Sequence, residues 1–260
     1  MKRYLFAASI LLACAHSWAL GDLAELSVYD RNQGRNLPVH QHEGRHYVVG
    51  KPGNRYQMVL RNRSGQDLLA VTSVDGVNVV SGETATWQQS GYVLDANRQT
   101  DIKGWRKSLT QVAQFYFTAL PNSYAARTGR PDNVGVIGVA LFRPRIEAPQ
   151  LYRDDGELSE RDERSADKSA PQNPSAPSLG SAGAAPRAKA ENKLGTGPGQ
   201  KETSPTRHVD FERASDSPDE VITIYYDSYR NLLAQGVIAR HRTAQVPDAF
   251  PGQFVPDPNE

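Results

Sequence analysis

The sequence predicts an all-β protein: a sandwich of immunoglobulin-like or jelly-roll size, then a disordered linker, then a short three-stranded β tail. Three observations carry this. Residues 68–94, LLAVTSVDGVNVVSGETATWQQSGYVL, read as strand, tight turn, strand, loop, strand around Asp75-Gly76, a dipeptide that supplies positive φ to a hairpin. About nine short apolar runs between Leu23 and Arg143 are separated by Gly, Asn, Asp and Pro turns, the pattern of a sandwich or barrel. The run NVGVIGVALF, residues 133–142, is continuously apolar and belongs deep in a core.

The elements follow in order. Residues 23–30 alternate, with Leu26 and Val28 on one face and Ser27 and Tyr29 on the other. Asp30 to Gly34 is a turn cluster. Residues 37–49 form a hairpin about Glu43-Gly44, and Lys51-Pro52-Gly53-Asn54 is a second turn. Residues 56–60 alternate again, and Asn62 to Gly65 turns the chain into 68–74. Beyond Asp75-Gly76, residues 77–80, 91–94, 100–105 and 112–117 are further strand candidates, and 108–111 starts a short helix or a turn.

Composition then changes. Pro144 to Lys193 is dominated by Ala, Ser, Pro, Gly and charged residues and holds almost no large apolar side chain. Such a segment cannot bury enough surface to offset the entropy of ordering. Three strands are expected after it, over 207–213, 220–227 and 232–238, with turns at Ser215 to Pro218 and Ser228 to Asn231. So few strands are marginal alone, so the tail should dock on the first domain, a partner or a second copy. The domain plan is 1–19 signal peptide, 20–143 sandwich, 144–194 linker, 195–240 β tail and 241–260 loose terminus.

The start of the chain supplies an address. Lys2 and Arg3 precede an apolar run over 4–15, too short to span a bilayer, and Ser17-Trp18-Ala19 places small residues where a signal peptidase reads them. Cleavage after Ala19 sends the protein to the periplasm or beyond. Leu11-Leu12-Ala13-Cys14 carries the alternative, a lipobox with lipid attached to the single cysteine. No later apolar run is long enough for a helical span. The formal net charge is +1, and the basic residues form no run interleaved with aromatics, so nucleic acid is not an expected partner.

No catalytic or cofactor motif withstands inspection. His40, His42 and His46 invite a metal, but a two-residue turn at Glu43-Gly44 sets His42 against Arg45 and His46 against Gln41, on opposite faces. Gly195-Thr196-Gly197-Pro198-Gly199-Gln200-Lys201 lacks the Gly before and Ser or Thr after the lysine that a phosphate loop needs, and it reads as linker end. There is no GxSxG elbow. Asp75, Glu83, Asp95 and Asp101 are carboxylates by number only, and Asp75 has a sufficient role in its turn. The better set is aromatic and basic: Trp87, Tyr92, Trp105, Arg106, Tyr124 and Arg127 fall in or beside loops, and aromatic rings with Arg are what sugar and protein interfaces use. The competing assignment puts Trp105 in the sandwich core and buries Tyr92.

Several motifs go together. Ser73-Val74-Asp75-Gly76-Val77-Asn78-Val79, Gly91-Tyr92-Val93-Leu94, Gly104-Trp105-Arg106-Lys107-Ser108, Ser123-Tyr124-Ala125-Ala126-Arg127 and Asn133-Val134-Gly135-Val136-Ile137-Gly138 resemble a family of secreted bacterial proteins of no assigned activity. Phe211-Glu212-Arg213-Ala214 and Tyr226-Asp227-Ser228 with Asn231-Leu232 resemble its second half. The resemblance implies a two-part layout and a cell-envelope address, and no catalytic residue. The expected function is a non-enzymatic binding or scaffolding module for an envelope protein or glycan, with strand exchange through 195–240 as one route to a partner. The alternative is a carbohydrate-active or hydrolytic envelope enzyme.

Overall fold

The computed structural model describes residues 19–146 and 193–239. Residues 1–18 of the expected signal peptide, with Cys14, most of the expected linker and the C-terminal residues from 240 onward lie outside the described residues.

Two seven-stranded sheets form a sandwich. The first holds β1 (Ala24–Asp30), β2 (Arg35–Asn36), β5 (Arg55–Asn62), β9 (Gln99–Ile102), β10 (Gly104–Arg106), β11 (Gln111–Ala119) and β13 (Leu194–Thr203). The second holds β3 (Val39–His42), β4 (Arg45–Gly50), β6 (Leu68–Val74), β7 (Val77–Asn78), β8 (Tyr92–Leu94), β12 (Val136–Phe142) and β14 (Glu220–Ser228), in the order β3-β4-β14-β12-β6-β7 with β8 also on β6. Two short helices, α1 (Tyr124–Arg127) and α2 (Tyr229–Ala234), start at the serine N-caps Ser123 and Ser228, whose hydroxyls accept from Ala126 N and Asn231 N. Among the described residues no helix is long and apolar enough to cross a membrane.

Local chemistry explains the hairpins. Glu43 and Gly44 have φ of 48° and 71°, and Asp75 and Gly76 have 55° and 72°, the positive pairs of a primed turn whose twist matches that of the strands. Alternation then fills the core: Leu26, Val28, Met58, Leu60, Leu68, Val74, Ile137, Leu141, Ile222 and Ile224 meet between the sheets. Aromatics thicken it at one end. Tyr56 stacks on Phe117 at 4.3 Å, and Trp105 sets its edge against Phe115 at 4.8 Å.

The C-terminal segment departs from the expected tail. It contributes two strands and a helix. The Gly-rich stretch read as linker end is strand β13, paired along β11 from Leu194↔Ala119 to Thr203↔Gln111. The glycines are there for room: a Cβ on Gly195 would meet Ser123 Cβ and Val134 Cγ1 at 2.7 Å, and one on Gly197 the Tyr116 ring at 2.6 Å. Residues 207–213 form no strand; only a bridge joins Arg213 to Pro144. Residues 232–238 are the end of α2 and the turn after it, because the Ser228 cap makes a helix start of what read as a strand boundary. Strand β14 is interior, antiparallel to β12 and parallel to β4. Of the docking sites the sequence left open, these strands use the chain's own sandwich.

Strand β13 also shows how its free edge is closed. The Leu194 and Thr196 N–H groups donate to the carboxylates of Asp227 (3.2 Å) and Asp75 (2.8 Å), and Pro198 has no N–H. Side chains and a proline stand where another strand would otherwise pair. At its far end Arg31 grips Glu202 with two bonds, 2.6 and 3.0 Å, and Gln114 adds a third at 2.7 Å. These partners, Arg31 first, hold the Glu202 carboxyl below its ordinary pKa.

Candidate functional site

The six residues singled out in the sequence separate into three groups. Trp105 is 2 % exposed and packs between Phe115 and Tyr124, so its indole belongs to the core and is not offered to a ligand. Tyr124 lies on it at 4.9 Å, with Lys107 5.7 Å above the Tyr124 ring. Arg106 is fixed in place. Its guanidinium donates to the Tyr92 hydroxyl at 3.0 and 3.2 Å and to the Ser204 carbonyl at 2.5 Å. Burial pushes the half-buried Tyr92 phenol up despite that cation. Arg127 is exposed at the end of α1. Trp87 stands apart, 51 % exposed, and its carbonyl accepts from Arg213, whose guanidinium sits 4.3 Å over Phe142. The side chains of Tyr92 and Arg106 touch, as do those of Trp105 and Tyr124, and both pairs are packing and positioning contacts.

Asp75 has a second role beyond its turn. Its buried carboxylate accepts from the Tyr226 hydroxyl (2.5 Å), Gly135 N (2.8 Å) and Thr196 N (2.8 Å). The Thr196 hydroxyl continues the chain to Tyr226 (2.6 Å) and Tyr56 (2.7 Å). Burial raises the Asp75 carboxyl against the pull of these donors, and burial with the nearby carboxylate lifts both tyrosines well above their usual range. The cluster has perturbed acids but no access, since Asp75, Tyr56 and Tyr226 are at most 2 % exposed. It joins β5, β13, β14 and the β6–β7 turn, and it is structural.

Directly over this cluster lies a surface cleft of about 270 Å³, whose lining includes Gly135 and Tyr226. Strand register builds it. Tyr47 on β4 pairs with Tyr225 on β14, and Tyr225 pairs with Val136 on β12. Tyr226 points into the core, so alternation turns Tyr225 outward, and Tyr47 stands beside it at 5.5 Å with a 34° tilt. Arg45 reaches over Tyr225 at 5.6 Å. Leu232 and Gln235, on and just beyond α2, and Asp132, Asn133 and Lys193 complete the lining.

The charges of the cleft differ in availability. Asp227 is committed to the fold: its carboxylate accepts from Leu194 N, Ser228 N, Asn231 Nδ2 and Gln235 Nε2 at 2.7 to 3.4 Å. Arg45, Lys193 and Asp132 make no salt bridge among the described residues. Two cations and one carboxylate therefore remain to face a ligand, beside a pair of aromatic rings.

No family model, curated protein or solved structure matches the chain. The site must be judged on its own geometry. The histidine hairpin has the register its sequence implied, Gln41 opposite His46 and His42 opposite Arg45, and among the described residues no three His, Cys, Asp or Glu side chains are grouped to hold a metal. Sequence reading missed Arg45, Tyr47, Lys193 and Tyr225. One signal was available: in Tyr225-Tyr226 a strand must turn one ring out. Its partner was hidden, because the parallel pairing of β4 with β14 spans most of the chain.

Proposed function

We propose that this protein is a non-catalytic binding module of the bacterial cell envelope, and that it takes its ligand in the cleft between β4, β14 and α2. The observation that carries the reading is the outward pair Tyr47 and Tyr225, flanked by Arg45 and Lys193, neither of which has a carboxylate partner among the described residues. Aromatic rings beside unpaired cations are built to bury area while recognising a polar group. The signal-peptide pattern and the motif resemblance to secreted proteins support the address.

The acids argue against turnover. Glycoside hydrolysis needs two carboxyl groups about 5 to 10 Å apart with room for substrate or water. Asp75 is sealed beneath the floor, and Asp227 is engaged by four donors of its own chain, which leaves Asp132. The cleft is favoured over the tail strands because β14 already has a neighbour on each side and the outer N–H groups of Leu194 and Thr196 on β13 are taken by Asp227 and Asp75.

The test is retention on immobilised envelope polymers by the whole secreted protein and by its Tyr47→Ala/Tyr225→Ala variant. Retention lost in the variant, with an unchanged melting temperature and no fragments released from the polymer, supports the reading. Equal retention by both forms, or release of soluble fragments, overturns it.

A further inference from the structure

We propose that the cleft recognises a carboxylated sugar residue, a uronic-acid unit of an acidic polysaccharide. This rests on the cleft being the binding site and names what it binds. The volume of about 270 Å³ is just under the roughly 300–1,000 Å³ of pockets that enclose drug-sized ligands, so it takes one ring rather than an extended molecule.

The shape of the platform favours a sugar. Tyr47 and Tyr225 stand side by side on the outer face of a sheet, partly exposed, and form the kind of aromatic surface against which the C–H face of a pyranose packs. Asp132, Asn133 and Gln235 stand around that platform with acceptors and donors of the kind that read hydroxyl groups. Main-chain groups of Gly135 and Val136 in the floor are already paired within the fold. Gly135 N is bonded to Asp75, Gly135 O accepts from Tyr226 N, and Val136 O accepts from Asp75 N. A peptide that adds to a protein surface by main-chain bonds needs such groups open.

The cations select the carboxylate. The Arg45 guanidinium lies 5.6 Å from the centre of the Tyr225 ring and brings to the cleft a fork of N–H donors suited to a two-oxygen acceptor. Lys193 lines the same cleft beside Gly135, its Cε 3.3 Å from where a Cβ on that glycine would lie, so the glycine leaves room for the lysine stem. A neutral sugar would leave the cleft with two cations against the single carboxylate of Asp132, an excess of positive charge that an acidic sugar offsets. A carboxylate at C5 of the ring resting on the tyrosines reaches the charged rim while the ring keeps its stacking.

The test uses calorimetry on the whole secreted protein with four probes: a galacturonic acid oligomer, a neutral gluco-oligomer of the same length, a glutamate hexapeptide and inorganic phosphate. The expected result is binding of the galacturonic acid oligomer that weakens about tenfold or more in Arg45→Gln/Lys193→Gln and falls with added salt. The neutral oligomer, the peptide and phosphate bind far more weakly. Both substituted side chains are at the surface, and an unchanged melting temperature shows that the variant folds. Equal binding of neutral and acidic oligomers, lost in Tyr47→Ala/Tyr225→Ala, overturns the carboxylate preference and leaves the cleft as the site. Tighter binding of the glutamate peptide overturns the sugar, and phosphate competing as well as the oligomer shows an anion site without ring recognition. Acidic oligomer binding that ignores both double variants overturns this inference together with the cleft reading.

Discussion

Tyr226 donates its hydroxyl to Asp75 at 2.5 Å across 151 positions of sequence. One partner sits on the interior strand that the C-terminal segment supplies, and the other in the turn on which residues 68–94 fold back. Removing only the hydroxyl isolates the bond. Tyr226→Phe keeps the ring against Phe117 (5.3 Å) and strips a donor from a buried carboxylate. The expected cost is about 1–3 kcal/mol in urea unfolding, with the slope unchanged. An unchanged midpoint would show that the cluster does not hold the two halves together.

The same carboxyl sets a pH dependence. Burial, the dominant cause, raises the Asp75 pKa in the folded protein. The folded chain therefore holds that proton more tightly than the unfolded chain, whose carboxyl titrates near 3.9. Its contribution to stability is greatest below the unfolded value and declines as pH rises through the raised folded value. Asp75→Asn cannot ionise. The wild-type lead over this variant should be largest at acid pH and shrink as pH rises. Urea melts at a series of pH values measure it, and a lead that widens with pH contradicts burial as the controlling influence.

A chain ended at residue 146 should not form this sandwich. It lacks β13, which closes one side of β11, and β14, which joins β4 to β12. Without β14 the second sheet divides into a two-stranded piece and the remainder, and Tyr226 and Thr196 leave Asp75 a buried acceptor without two of its donors. Near-ultraviolet circular dichroism should be flat and thermal unfolding broad, and adding a peptide of residues 193–239 should restore both signals. A sharp melt from the short chain alone would mean that the first part is complete in itself. Comparing the whole chain with a truncated one in a binding assay therefore confounds recognition with folding.

What the sequence made legible was local. Alternation in 23–30, the Glu43-Gly44 and Asp75-Gly76 turns and the apolar run into Phe142 each report a choice made within ten residues, and the structure keeps all of them. What stayed hidden depends on distant neighbours. Gly195-Thr196-Gly197-Pro198-Gly199 has poor strand propensity, yet it is a strand because its glycines fit against Ser123, Val134 and Tyr116 and its proline sits at an edge. The Ser228 cap was visible, but LLAQGVI after it looks as apolar as a strand, and only the cap tells the helix apart. Of the candidate site, Trp105 obeyed the competing core assignment, while the Tyr47 and Tyr225 pairing needed a register no single strand reveals.

The two tryptophans beyond residue 19 are placed for an optical check that separates the candidate surfaces. Trp87 is 51 % exposed and Trp105 2 % exposed in an aromatic core. Iodide should quench only the Trp87 emission. Trp87→Phe should abolish the quenchable component and leave a blue-shifted, protected spectrum from Trp105. The cleft is lined by neither indole, so its ligand should bind without shielding Trp87 from iodide. If an acidic oligosaccharide does protect Trp87, and Trp87→Phe weakens its binding while Tyr225→Ala does not, recognition sits at the loop beside Arg213 and the cleft assignment fails.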